Sequence, residues 1–383
     1  MKTLKEIRTD IVGSLLRPAR WRQAREQFEA GTMSPDEFAE VENACVTDLL
    51  RMQEDVGLAV ATDGEISRLN FQDSFGASVQ GFDAPAATMK ETQLRSENSS
   101  PLKRWDIPNL YGVGPAIQSR RPVVERLSLT RNIPLEEFVR AQPLTATAIK
   151  VTLVGPDRIF QRFAYEGSRH VYPDIDAFMA DVVAVQRQMI QQLADAGCRY
   201  VHIDEPGYTA YVDEASLKIM RDRGEDPAEN MARSIAANAA IVEGFDDITF
   251  GIHLCRGNHR SMWHREGSYD AIAEQLFSEL PFDRFLLEYD SPRSGGFEAL
   301  RFVPKGKVAV LGLVSTKVAE MEKPADLARR VDLATQHISL DQLAISPQCG
   351  FASDIVGNLL SEDNQKRKLE LVRETAHAVW GQR

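Results

Sequence analysis

Residues 199–206 read Arg199-Tyr200-Val201-His202-Ile203-Asp204-Glu205-Pro206. Residues 199–204 make a short run with bulky side chains on both faces, as a strand covered on both sides of a parallel sheet requires. Ahead of it, Phe178, Val182, Val185, Met189 and Leu193 recur at helical spacing, and Gly197 stops the helix. Behind it the chain turns polar at once, with Asp204 and Glu205, and Pro206 ends the extended stretch. The unit is therefore a helix, a glycine stop, a buried strand and a polar strand end.

Working outward, the same unit recurs. Apolar runs lie at 11–14, 58–63, 148–153, 199–204, 249–253, 284–288, 308–312 and 343–346. Ser34-Pro35-Asp36-Glu37 is a capping box with proline at the first helical position. Phe38, Val41, Cys45, Leu49, Met52 and Val56 then form one apolar stripe closed by Gly57. Met231, Ile235, Ala239 and Val242 repeat the pattern before Gly244, and Leu369, Val372, Ala376 and Val379 mark a last helix. Eight strand–helix alternations predict an α/β fold, a single (β/α)8 TIM barrel over residues 1–383. A doubly wound sheet is the alternative, but no Gly-x-Gly-x-x-Gly turn follows the first run. The interval 66–145, between the second and third strands, holds prolines, charges and the run 105–117 with Gly112, Gly114 and Pro115. It is expected to be an insertion, a lid over the barrel mouth.

With 43% hydrophobic and 26% charged residues in 383, the chain can bury a large core. That excludes a disordered, fibrous or disulfide-stapled protein. Against 45 basic residues stand 56 acidic ones, a net charge of −11, which argues against nucleic acid or an anionic membrane as partner. No apolar stretch is long enough to span a bilayer, and Met1-Lys2-Thr3-Leu4-Lys5-Glu6 is no signal peptide, so a cytoplasmic protein is expected. Its four cysteines should then be thiols or metal ligands. Cys45, on a helical stripe, and Cys198, at a strand start, read as core.

In a (β/α)8 barrel the chemistry sits at the C-terminal strand ends. Those ends carry Ser14, Asp63 and Glu65, Asp204 and Glu205, His253 and Cys255, Glu288 and Asp290, Lys317, and Cys349. His253 and Cys255 are two apart, so an extended chain points both the same way. Imidazole, two thiolates and the Glu288 carboxylate would suit a tetrahedral zinc site rather than calcium or magnesium. The plain alternative is a core histidine and two buried thiols.

The ordered set Ile11-Val12-Gly13-Ser14, Asp63-Gly64-Glu65, Ile203-Asp204-Glu205-Pro206, His253-Leu254-Cys255, Leu287-Glu288-Tyr289-Asp290 and Ser346-Pro347-Gln348-Cys349-Gly350 resembles the cobalamin-independent methionine synthase family. It is similar to the short, single-barrel members that correspond to the catalytic C-terminal half. The resemblance implies zinc (Zn2+) held by His253, Cys255, Glu288 and Cys349. It further implies that the amino acid part of a small-molecule thiol, homocysteine or an analogue, is held by Ser14, Glu65 and Asp204. The implied activity is a zinc-dependent S-methyltransferase giving methionine from an alkyl donor. Considered alone, Asp204 could cap the next helix, Glu65 could pair with Arg68 or a loop arginine, and Ser14 could be a turn residue. His202 reads as a core or helix-facing histidine, and His259 and His264 as solvated loop residues, either of which could approach the metal.

The donor half of the family pattern is altered. Lys317 stands where those enzymes place a histidine proton donor, and is the catalytic candidate here. No tryptophan follows Gly155-Pro156, where Asp157-Arg158 stands instead, and a folate-contacting glutamate is missing near Ala210. Methyltetrahydrofolate is therefore disfavoured and the alkyl donor stays open. Two rivals remain: an alkyltransferase on another thiol, as in the epoxyalkane:coenzyme M transferases, and a non-catalytic zinc-binding barrel. Coenzyme M would want arginine, for which Arg17, Arg120 and Arg121 are candidates.

Overall fold

A computed structural model describes residues 3–82, 104–105 and 120–381. The principal strands are β1 (Val60–Ala61), β2 (Ala148–Ile149), β3 (Val151–Val154), β4 (Tyr200–Asp204), β5 (Thr249–Leu254), β6 (Arg284–Glu288), β7 (Val308–Val314) and β8 (Leu343–Pro347). Strands β3 to β8 pair in chain order as a six-stranded, all-parallel sheet, and β1 pairs in parallel with β2. Every residue of β3 to β8 is buried, so these strands show no polar–apolar alternation. The Lys150 N–H, between β2 and β3, donates to Ala61 O at 2.8 Å and keeps the two ladders in step.

The first run differs from expectation. Residues 11–14 form no strand; the ladder contact falls earlier, where Thr9 bridges in parallel to Ile345 and the Asp10 N–H donates to Ile345 O. Past that point the Asp10 carboxylate takes the Ile11 N–H itself, at 2.9 Å, which withdraws a donor from the sheet. The chain then crosses to the β1 side: the Leu15 N–H reaches Gly64 O at 3.0 Å, and the Thr62 hydroxyl donates to Gly13 O at 2.6 Å.

The helices follow their sequence signals. Ser34 caps Pro35–Val56 through a reciprocal box with Glu37, and Gly57 ends it at φ +81°. Asp174 caps Ile175–Asp195, which packs against Pro227–Val242. In the interval 66–145, Val79–Gln80 pairs antiparallel with Ser128–Leu129, and Ile133–Ala141 is a helix capped by Asn132. Arg104–Trp105 pairs antiparallel with Met262–Trp263 beyond β5, while the rest of the run 105–117 lies outside the described residues.

Under the sheet's N-terminal edge lies a buried charge cluster. Asp10 accepts from Lys150 Nζ at 2.8 Å, Arg284 Nε at 2.9 Å and the Tyr200 hydroxyl at 2.7 Å. Among the described residues no helix is long and apolar enough to cross a membrane.

Candidate active site

Strand β5 carries His253 beside Asp204 of β4, and Cys255 and Cys349 follow the ends of β5 and β8. The donor atoms of His253, Cys255 and Cys349 lie within 4.8 Å of one another, and all three residues are buried. His253 Nδ1 stands 3.1 Å from Leu286 O. A carbonyl only accepts, so Nδ1 bears a hydrogen and Nε2 is the ring nitrogen left for a ligand. Nε2 is buried with no hydrogen-bond partner among the described residues. The Cys349 thiol and the His253 ring hold the Cys255 thiol well below its ordinary range, while Cys255 and burial drive Cys349 up. An orphaned imidazole nitrogen beside two sulfurs is a donor set that fits a soft-ligand metal.

Glu288, at the end of β6, lies beside this trio rather than within it. Its carboxylate accepts the Arg256 N–H at 2.7 Å and stands 3.2 Å from Arg293 Nη2 and 3.6 Å from Lys317 Nζ. Burial alone would raise it, but Lys317, Arg256 and Arg293 pull it below the usual carboxylate range. Lys317 is fully buried, 3.9 Å from Asp290 as well, and does not line the cavity described next.

A cavity of about 740 Å³, its open mouth included, is lined by Ser14, Glu65, Asp204, His253, Cys255 and Cys349. Glu65 sits at φ +54°, an αL conformation that a non-glycine residue holds only when its surroundings dictate it. Its N–H binds Asp63 Oδ1 at 2.9 Å, and its Oε1 accepts from the Thr152 hydroxyl at 2.7 Å. Arg68 lies 3.6 Å from the other oxygen, so the Glu65–Arg68 pairing weighed from sequence exists, but loosely. A Cβ on Gly13 would collide with Glu65 Oε1.

Asp204 does not cap the next turn; the 3₁₀ segment Pro206–Tyr211 has no side-chain cap. Instead its Oδ1 meets His202 Nε2 at 3.1 Å, which makes buried His202 a support for Asp204. Ser14 Oγ accepts the Ala352 N–H at 3.4 Å and lies where a Cβ on Gly350 would fall. Glu205 receives the Asp157 and Arg158 N–H groups, both at 2.9 Å, and so anchors the start of helix Pro156–Gln161.

His259 is not a solvated loop residue, and His264 is half-buried. His259 is buried, with Nδ1 against the Asp354 carboxylate, and both histidines line the cavity. His264 occupies the space over Gly257, whose φ of +100° and missing side chain the close approach requires. Of the arginines weighed for a sulfonate, Arg17 and Arg120 are engaged elsewhere. Arg17 spends its guanidinium on the carbonyls of Leu15, Ala352, Glu65 and Arg68, and Arg120 pairs with Glu225 at 2.7 Å. The arginines lining the cavity are Arg158 and Arg265. The Asp157-Arg158 departure after Gly155-Pro156 was the one sequence signal for the former.

The family model "Cobalamin-independent synthase, Catalytic domain" matches residues 7–362. Two Bacillus subtilis proteins described as uncharacterized, YxjG and YxjH, are 37% and 34% identical over 97% of this chain and 94% of their own. A Pyrococcus abyssi methionine synthase is 24% identical over 90% of this chain and 86% of its own. Among solved structures, a Listeria monocytogenes protein assigned as a vitamin-B12-independent methionine synthase superposes with TM-score 0.72 at 24% identity, covering 100% of both chains. The B12-independent methionine synthase of Shewanella sp. W3-18-1, solved with selenomethionine, gives 0.69 at 18% identity, over 98% and 97%. These structural likenesses bear on the fold, and the sequence match bears on the lineage. The chain belongs to the cobalamin-independent methionine synthase family, methyltransferases whose catalytic domain it carries across residues 7–362.

Proposed function

We propose that this protein is a zinc-dependent thiol methyltransferase that takes homocysteine, or a close amino acid thiol, as acceptor and yields methionine. The observation that carries the reading is the convergence, in one cavity, of the trio His253, Cys255 and Cys349 with the acidic pair Glu65 and Asp204. His253, Cys255 and Cys349 would hold the metal, with Glu288 as the candidate fourth ligand. When bound, zinc would supply the positive charge that keeps a substrate thiol deprotonated at neutral pH. Glu65 and Asp204 take the substrate ammonium, which two buried carboxylates suit and a sulfonate would not. Ser14 and the nearby turn serve its carboxylate. The Leu286 carbonyl fixes the His253 tautomer, and Arg256, Arg293 and Lys317 hold Glu288 ionised. Lys317 acts in this scheme through Glu288, as its countercharge, because it reaches that carboxylate and does not line the cavity. The parallel circuit from Thr9 through β1 to β8 reads as a closed (β/α)8 barrel, with 66–145 as its insertion.

Asp204→Asn separates the acceptor classes. It should weaken homocysteine binding by roughly 1.5–3 kcal/mol, the worth of a hydrogen bond to a charged group, and leave coenzyme M unaffected. Calorimetric titration of the zinc-loaded protein with each thiol measures this, and equal losses would sink the amine assignment. Coenzyme M is kept as a second reading because Arg158 and Arg265 line the cavity. Glu288→Gln should retain most of the zinc, since the carboxylate is bonded to Arg256 and stands outside the trio. Elemental analysis showing zinc lost in that variant would make Glu288 a full ligand.

A further inference from the structure

Behind Glu65 lies a buried chain of polar groups that the proposed reaction does not use. Arg68 Nε and Nη2 donate to the two carboxylate oxygens of Glu137, the first at 2.8 Å. The same guanidinium donates to Thr152 Oγ1 at 3.0 Å and Thr152 O at 2.9 Å, and the Thr152 hydroxyl donates in turn to Glu65. Arg68 and Glu137 are both buried, the latter on helix Ile133–Ala141. The arginine thus stands between two carboxylates. It is forked onto Glu137 but stands 3.6 Å from Glu65, too far for a close hydrogen bond.

That asymmetry matters for an amine subsite. A carboxylate clasped by a buried guanidinium has its charge cancelled and its lone pairs taken, and it recognises an ammonium poorly. We infer that Glu137 is a positioning residue for amino acid recognition: by engaging the fork of Arg68 it keeps that cation from closing on Glu65, and so leaves the Glu65 carboxylate open towards the cavity. Thr152 completes the arrangement by holding Oε1 of Glu65, the oxygen other than the one nearest Arg68. The inference rests on the assignment of Glu65 to the substrate ammonium, and it makes Glu137 a determinant of specificity for amino acid thiols over thiols without an amine.

The test is calorimetric titration of zinc-loaded protein with homocysteine and with its desamino analogue. Burial pushes Glu137 up to about 7 although Arg68 pulls it down, so the titrations belong on the alkaline side of that value. In Glu137→Gln, Arg68 is released to Glu65, and homocysteine affinity should fall roughly tenfold or more while the desamino thiol binds as before. The double variant Glu137→Gln with Arg68→Gln removes the competing cation and should recover much of that loss. Glu137→Asp, which keeps the charge, should retain most of the discrimination. A merely structural role predicts the contrary, equal losses for both thiols and a double variant worse than the single, and either result overturns the inference. Wild-type protein that binds neither thiol would defeat the acceptor reading itself, an outcome separate from these.

Discussion

Cys349→Ser should strip the protein of its metal. Serine keeps the size of cysteine but offers a hard hydroxyl in place of a thiolate, which a soft-donor site does not replace. Even partners outside the ligand set typically cost about 10–100-fold in metal affinity when removed, so loss of a ligand should exceed a hundredfold. The same is expected of Cys255→Ser. Competition with a chromophoric chelator measures the affinity, and elemental analysis the occupancy. Cys45→Ser and Cys198→Ser are the controls, because those cysteines belong to the hydrophobic core and should leave zinc content unchanged. Full occupancy in both Cys255 and Cys349 variants would remove the basis of the proposed function.

Asp10→Asn should cost roughly 3–5 kcal/mol of folding stability, the range for leaving a buried charge without its partner. The substitution keeps the shape but strands Lys150 and Arg284, both fully buried against Asp10. Burial by itself would raise the Asp10 carboxyl, yet Lys150 and Arg284 hold it far below the usual carboxylate range. A depressed carboxylate contributes stability that is complete above its unfolded value, about 3.9, and is lost as pH falls towards its folded value. Denaturant unfolding should therefore show the wild type losing its margin over Asp10→Asn in strong acid, with the full gap at neutral pH. A midpoint unchanged at neutral pH would mean that the cluster adds nothing net.

How much of this could be read in the chain follows from which interactions are local. Strand β6 coincides with its run at 284–288, because Phe285, Leu286 and Leu287 make the unbroken apolar centre that a strand buried on both faces requires, whatever it pairs with. The run at 11–14 is just as apolar, yet it leaves the ladder because Asp10, one residue upstream, takes its N–H. Ser14, Glu65, Asp204, His253, Cys255 and Cys349 could be grouped in advance, since parallel strands deliver their polar C-terminal ends to one side of the sheet. Their partners could not. Arg260 and Ser261, next to buried His259, are left-handed although neither is the glycine or asparagine that usually marks that conformation. The carbonyls gathered around Arg17 come from three separate stretches of chain, and no spacing rule foretells them.

The tight fit of Gly13 against Glu65 and of Gly350 against Ser14 bears on how this pocket can change over evolutionary time. At both positions a single added methyl group would strike an oxygen of a residue proposed to hold the acceptor, so one-step mutation at its amino acid end meets a steric wall. The sides lined by Arg158, His264 and Arg265 present long side chains in place of such glycine-tight contacts. Divergence among related sequences should accordingly conserve the acceptor's amino acid end and accumulate differences around the second substrate. A lineage can thus change what it takes the alkyl group from while continuing to deliver it to the same kind of molecule.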